Sequence, residues 1–317
     1  GHGVEPGDRV AYLAKNTDAY YEMLFGCAKA RAVMTGVNTR LAAPEIQFIL
    51  ADSKARVLFV GKEFYSIIDE LPDLMRVITI DGDREDWDYY PSWRNSKPAS
   101  APGLTPLSDD DVIQLYTSGT TGKPKGVQLT NANYNAFFRQ AAMLDWSSYA
   151  AGEAVMNAMP LFHVAGVNVG VLAAAQGAKT VVLREIDPTA ILKLIPEHKI
   201  AHAFWVPAVI MMLVQHKDVD ATDFSSLKIV SYGASPIAES LLLDAKRIMN
   251  AGFNQLYGLT ETVGAGTYLP PQAHDPAWGK LRSCGVPWPG AIVRCLDKEG
   301  NPVPTGEVGK IAIKASF

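Results

Sequence analysis

Tyr116-Thr117-Ser118-Gly119-Thr120-Thr121-Gly122-Lys123-Pro124-Lys125-Gly126 gathers three glycines, four serine or threonine hydroxyls and two lysines into eleven residues. Glycine lets a backbone curl until several N–H groups face one anion. Hydroxyls add rotatable donors, and lysines add positive charge. Together these are the parts of a loop that holds a polyphosphate. The spacing is not that of a Walker A loop, which needs four residues between its first glycine and a Gly-Lys pair followed by Ser or Thr. Here Gly119 and Gly122 enclose two residues, and Pro124 follows Lys123. The G-x-G-x-x-G spacing of dinucleotide folds is also missing. Composition alone fits a flexible surface turn as well. The flanks weaken that alternative. Residues 112–116 form an apolar run that predicts a buried strand leading in, and residues 126–129 predict a strand leading out. Thr130 or Asn131 can then cap a helix.

Outward from this loop the chain alternates strand and helix patterns. Upstream, residues 9–13, 33–37, 57–60 and 76–80 predict strands, and residues 17–30 and 44–51 predict helices. Tyr20, Leu24 and Cys27 are spaced along one helical face. Downstream, Asp187-Pro188 signals a helix start that runs to His198. Strands at 202–206, 228–232 and 253–257 alternate with helices at 208–216 and 236–249. The last two strands deliver loops at Gly233 and at 258–261. This order predicts an α/β fold with mostly parallel sheet covered on both faces. Loops at the carboxyl ends of consecutive strands suit ligand binding. Residues 81–108, rich in Asp, Pro and Ser, read as a linker or an ordered surface excursion.

Composition narrows the functional classes. The 317 residues suffice for a large core and two lobes, and 48% hydrophobic with 20% charged content is that of a globular protein. A net charge of −4, from 29 basic against 33 acidic residues, leaves no basic field for nucleic acid. Cys27, Cys284 and Cys295 are an odd, scattered set without disulfide or CxxC metal spacing. They read as reduced packing thiols of a cytoplasmic protein. No segment predicts a membrane span; the best candidate, residues 164–183, is interrupted by Gln176, Gly177 and Lys179. His198, His202, His216 and His274 lack metal-ligand spacing and read as structural.

The eleven-residue loop resembles the [Y/F]TSG[S/T]TGxPKG signature of the adenylate-forming enzymes, which include acyl- and aryl-CoA synthetases, luciferases and the adenylation domains of peptide synthetases. Three further matches follow in that family's order: Met159-Pro160-Leu161-Phe162-His163, Gly233-Ala234-Ser235-Pro236 and Tyr257-Gly258-Leu259-Thr260-Glu261. The resemblance implies two mostly parallel β-sheets with flanking helices, the N-terminal domain of the adenylate-forming fold, and the start of a β-rich subdomain at the C-terminal end. It implies a first lobe at 1–81, a linker or excursion at 82–108, a nucleotide-binding lobe at 109–262 and a mixed β region at 263–317. Glu5-Pro6-Gly7-Asp8-Arg9-Val10 and the stretch from Gly306 to Ile311 match interior segments of the family, so the chain reads as the core of a larger enzyme, weak or inactive alone. One departure stands out: Arg31-Ala32-Val33-Met34-Thr35-Gly36 occupies the place of the family's GAVxVP, which puts local packing there in question.

Site roles follow from the same resemblance. Thr117, Ser118, Gly119, Thr120, Thr121, Gly122 and Lys123 would bind the ATP phosphates, with Lys125 either a phosphate contact or a structural ion pair. Gly233, Ala234 and Ser235 would face adenine. Tyr257 would stack on it or serve as a core aromatic. Thr260 and Glu261 would be catalytic, Glu261 as the Mg²⁺ ligand, against the alternative of a plain helix cap. His163, Trp205, Val206, Met211, Gly258 and Gly264 would wall the acyl pocket. ATP, Mg²⁺ and CoA are the implied partners, and a homodimer is left open. No acid accompanies Phe162-His163-Val164-Ala165-Gly166, which argues against an amino-acid substrate. A fatty acid leads and an aryl acid follows. A nucleotide-binding module without turnover, and a kinase or ATPase releasing ADP, are the competing classes.

Overall fold

A computed structural model describes residues 3–68, 76–82, 84–118 and 123–317. The chain forms two compact units. The first comprises Gly1–Ala132, Met159–Val167 and Val182–Glu185, and the second Asn133–Ala158, Asn168–Val181 and Ile186–Phe317.

The first unit carries β1 (Arg9–Leu13), β2 (Val33–Gly36), β3 (Val57–Val60), β4 (Arg76–Thr79), β5 (Asp88–Tyr89), β6 (Asp111–Thr117) and β7 (Lys125–Thr130). They lie in the order β5-β4-β3-β1-β2-β6-β7. All neighbours are parallel except β6 and β7, which form an antiparallel hairpin. Helices α1 (Ala19–Lys29), α2 (Ala43–Ser53), α3 (Tyr65–Ile68) and α4 (Tyr90–Asn95) complete it. The parallel strands are buried on both faces, so they read as apolar runs. Ile46, Ile49 and Leu50 of α2 pack with Leu13, Leu58, Val60 and Tyr116 in one core cluster. Gly26 stands exposed inside α1 with open space around it and ordinary backbone, so Gly26→Ala is expected to raise stability by about 0.5–1 kcal/mol, read by denaturant titration.

Within residues 81–108, the segment at 88–95 is ordered by its own contacts. β5 pairs with β4, and Glu22 of α1 accepts from the Tyr90 hydroxyl at 2.6 Å and from Arg94 Nη1 at 2.7 Å. The departure at Arg31 is accommodated too. Arg31 takes a left-handed backbone, φ 56°, which glycine would adopt without cost. Its guanidinium donates to both Asp110 carboxylate oxygens at 2.9 and 2.8 Å, tying the end of α1 to the start of β6.

The second sheet runs β14-β13-β12-β11-β10-β8-β9. Its strands are β8 (Ala154–Asn157), β9 (Lys179–Val182), β10 (Ile200–Trp205), β11 (Ile229–Gly233), β12 (Gly252–Tyr257), β13 (Thr267–Leu269) and β14 (Val286–Pro287). Strands β8, β10, β11 and β12 are parallel, whereas β13 and β14 are antiparallel additions. Helices α5 (Asn131–Ala141), α6 (Val164–Ala175), α7 (Pro188–His198), α8 (Pro207–Val214) and α9 (Glu239–Met249) flank this region of the chain, and β15 (Ile292–Leu296) pairs antiparallel with β16 (Lys310–Lys314). Asp187 caps α7 as its sequence predicts, its Oδ1 accepting from Thr189 N and Ala190 N. Helix α9 starts at Glu239, three residues later than the predicted 236, with Ala238 still extended. Among the described residues no helix is long and apolar enough to cross a membrane.

Packing by cysteine holds only for Cys27, which is buried in α1; Cys284 and Cys295 are exposed, and all three are free. Cys295 lies on the thin β15–β16 pair, and Cys284 borders the cleft described below.

His274 is fully buried. Its Nδ1 donates to Pro270 O at 2.9 Å, so Nε2 is left to accept from the Tyr232 hydroxyl at 3.0 Å. Burial pushes its pKa down from 6.5 to about 4. The folded protein therefore keeps this imidazole neutral while the unfolded chain protonates it below pH 6.5. Stability is fully present above that pH and falls as pH drops toward 4, by about 2 kcal/mol between pH 6.5 and 5 from this group. Denaturant titrations at several pH values should show that slope, and His274→Gln should flatten it.

Candidate functional site

Strands β11 and β12 end side by side, with Tyr232 opposite Gln255 and Gly233 opposite Leu256. The chain leaves β11 through Gly233, where a Cβ would stand 2.3 Å from the Leu256 carbonyl oxygen. Ala234 then adopts φ 67°, a left-handed conformation that turns the backbone outward. These two features open a cleft of about 850 Å³, bordered by Tyr232, Ala234, Ser235, Tyr257, Gly258, Arg282 and Cys284. Of the four residues expected at adenine, Ala234, Ser235 and Tyr257 therefore border one cavity, and Gly233 precedes it at the end of β11. Tyr257 is half-buried. Tyr232 is buried and its hydroxyl is spent on His274, which leaves its ring as floor.

Beyond Tyr257 the backbone doubles back. A Cβ on Gly258 would lie 2.2 Å from the Gly264 oxygen. Gly264 N donates to Leu259 O at 2.8 Å. Thr262 Oγ1 accepts from Leu259 N at 3.0 Å and donates to Leu259 O at 3.1 Å. Thr262 thus performs the capping that Thr260 and Glu261 could have performed. Glu261 is exposed and makes no hydrogen bond or ion pair with a described residue. A lone free carboxylate suits Mg²⁺, which keeps several waters and takes its other oxygens from phosphate. Among the described residues no three His, Cys, Asp or Glu side chains gather into a metal site, so an all-protein cage is absent there.

The eleven-residue loop belongs to the first unit. Tyr116 pairs with Gly126 and Thr117 with Lys125 across the β6–β7 hairpin. Gly119, Thr120, Thr121 and Gly122 lie outside the described residues. Ser118, Lys123 and Lys125 are exposed, and neither lysine makes an ion pair with a described residue. The last glycine of the motif has a local cause. A Cβ on Gly126 would sit 2.2 Å from Gln114 Nε2, the atom that donates to the Tyr116 hydroxyl at 3.2 Å. That hydroxyl donates to Asp52 Oδ2 at 2.6 Å.

The Met159–His163 segment is held by Asn16, which sequence reading missed. Buried Asn16 donates to Met159 O and Leu183 O and accepts from Leu161 N at 3.0 Å. A Cβ on Gly166 would meet Pro160 O at 2.2 Å, so the turn into α6 requires glycine. His163 reaches solvent with its ring edge-on to Phe162 at 4.6 Å, and desolvation with nearby Arg40 lowers its pKa. The remaining residues expected to wall an acyl pocket belong to the second unit. Trp205 is completely buried, with no partner for its indole N–H among the described residues, Val206 is half-buried and Met211 is exposed on α8. Gly258 borders the nucleotide-sized cleft, and Gly264 packs beneath it.

Comparison with known proteins fits this geometry. A family model described as AMP-binding enzyme matches residues 1–317. The fatty acid–[acyl-carrier-protein] ligase ScoC of Streptomyces coeruleorubidus is 38% identical over 317 residues, covering 98% of this chain and 60% of that protein. A feruloyl-CoA synthase of Amycolatopsis is 35% identical with the same coverage. The inhibitor-bound N-terminal domain of FACL13 from Mycobacterium tuberculosis superposes with a TM-score of 0.88 at 29% identity, covering 99% of this chain and 77% of that one. The chain spans about 60% of the length of these curated relatives. Its fold, two mostly parallel sheets and a small antiparallel pair, is that of the N-terminal domain of adenylate-forming enzymes. The chain belongs to the AMP-binding enzyme family.

Proposed function

We propose that the chain carries the nucleotide site of an AMP-forming acid–CoA ligase. ATP and a carboxylic acid give acyl-AMP and pyrophosphate, and the CoA thiol then displaces AMP. The observation that carries this reading is the convergence of Ala234, Ser235, Tyr257 and Gly258 on one cleft, with the exposed Glu261 two residues beyond Leu259, the last of that turn to line it. Ala234, Ser235 and Gly233 give adenine a close backbone approach, and Tyr257 offers a stacking face. The Thr117–Lys123 stretch has the donors that a polyphosphate's charge requires. Thr260 contacts the α-phosphate. Glu261 holds Mg²⁺, which when bound neutralises phosphate charge.

A fatty acid is the leading substrate. The name of the ScoC relative supports it, as does the apolar run of Trp205, Val206, Pro207 and Met211. An aryl acid is the alternative, supported by the feruloyl-CoA synthase relative. The same ScoC likeness favours a second reading of the acceptor, in which a carrier-protein thiol replaces CoA. ATP and CoA supply place the reaction in the cytoplasm.

A panel of fatty, aryl and amino acids, given to the full-length enzyme and scored for AMP and ADP, tests the reading. AMP should form only with a fatty or aryl acid present. Acid-independent ADP release would replace this reading with that of an ATPase or kinase. CoA and acyl-carrier protein, supplied in turn, separate the two acceptors by which one yields a thioester.

A further inference from the structure

The turn that carries Thr260 and Glu261 is closed almost entirely on itself. Its backbone bonds run Thr262 N to Leu259 O, Val263 N to Thr260 O, Gly264 N to Leu259 O and Ala265 N to Thr262 O. Among the described residues, one hydrogen bond reaches residues 258–264 from another element. Asn168 Nδ2, on α6, donates to Val263 O at 2.7 Å. Its acceptor is an unusual residue. Val263 is fully buried and adopts φ 49°, a left-handed conformation that a β-branched side chain resists. Such strain persists only where the surroundings over-determine it. Asn168 Oδ1 is itself buried and has no partner among the described residues, so among them the carboxamide bonds through its nitrogen.

We propose that Asn168 is a positioning residue for Glu261: its hydrogen bond to the strained Val263 carbonyl holds the turn in the one orientation that presents the carboxylate to a nucleotide-bound divalent cation. This rests on the reading of Glu261 as the metal ligand. Without the Nδ2 donor, Val263 O loses its partner and the strained residue relaxes. The carboxylate two positions earlier then moves with the turn. The cleft walls at Ala234 and Ser235 follow β11, a different strand from the one that leads into this turn, and stay in place.

The test measures Mn²⁺ binding at fixed ATP by electron paramagnetic resonance, with AMP affinity measured separately in the absence of metal. Asn168→Ala, Asn168→Asp, Glu261→Gln and the Asn168→Ala/Glu261→Gln double variant are compared. Asn168→Asp keeps the shape of the side chain and removes the donor. Either Asn168 variant should raise the Mn²⁺ half-saturation by about 10-fold, the effect of one buried hydrogen bond, and leave AMP affinity unchanged. In the Glu261→Gln background, Asn168→Ala should add less than about 2-fold, because both act through one group. Unchanged Mn²⁺ half-saturation in the Asn168 variants, with Glu261→Gln shifted, would overturn this inference alone. So would equal losses of Mn²⁺ and AMP binding, which indicate general damage. Unchanged Mn²⁺ binding in Glu261→Gln would instead overturn the metal-ligand reading beneath it.

Discussion

In the full-length enzyme, Glu261→Gln is expected to slow acid-dependent AMP formation by about 10²–10³-fold, the cost of removing one positioned electrostatic element from a charged transition state. The substitution keeps the side chain's size and removes its charge. Because the carboxylate is exposed and makes no hydrogen bond or ion pair with a described residue, the melting temperature should stay within about 1 °C of the parent. The plain cap alternative predicts the reverse pattern, a lower melting temperature with little change in rate. The structure has already moved that alternative onto Thr262, whose hydroxyl satisfies both Leu259 backbone groups. A full-rate Glu261→Gln enzyme would remove Glu261 from the chemistry.

Gly258→Ala should abolish nucleotide binding in the cleft, with a stability loss of about 1–3 kcal/mol or more. The added methyl would meet backbone on the return limb of the turn: Gly264 O at 2.2 Å, Gly264 C at 2.4 Å and Ala265 N at 2.7 Å. Backbone atoms cannot swing aside as a side-chain tip can, so the turn must open. Gly264, at φ 76°, is the other half of this approach. Tyr257 and Glu261 lie within three residues of Gly258, so opening the turn displaces the proposed stacking face and the proposed metal ligand together. Calorimetric AMP titration reads the first effect and denaturant titration the second. Native AMP affinity in a folded Gly258→Ala protein would contradict the close-approach argument.

Much of the fold was legible because its signals are local. Parallel strands buried on both faces leave apolar runs, and β3 at Val57–Val60 falls on its predicted residues. Asp187-Pro188 marked the start of α7 for the same reason: an Asp cap and a first-turn proline act within a few residues. The motif loops were visible through their glycines. What stayed hidden depends on distant partners. Asn16 clamps a segment more than a hundred residues away, and an isolated asparagine gives no sign of that. Arg282 and Cys284 reach the cleft only because β13 returns antiparallel against β12 and β14 against β13. Residues 236–238 read as the start of α9, yet they lie outside it and line the cleft, with Ala238 in extended form. Cys284 and Cys295 were read as packing residues because cysteine is so often buried, and composition cannot tell which ones are not.

The cysteines provide the most direct test of the claim that the cleft at the ends of β11 and β12 binds an adenine nucleotide. Cys284 borders that cleft, Cys295 is exposed elsewhere on β15, and Cys27 is buried. Alkylation by iodoacetamide, followed site by site in peptide mass spectra, should slow by about 10-fold or more at Cys284 when AMP is saturating, the protection expected when bound ligand covers a site more than nine-tenths of the time. Cys295 should react at the same rate with and without AMP, and Cys27 should stay unmodified. Equal alkylation of Cys284 in both conditions, with AMP shown to be bound, would place the nucleotide elsewhere and contradict the account.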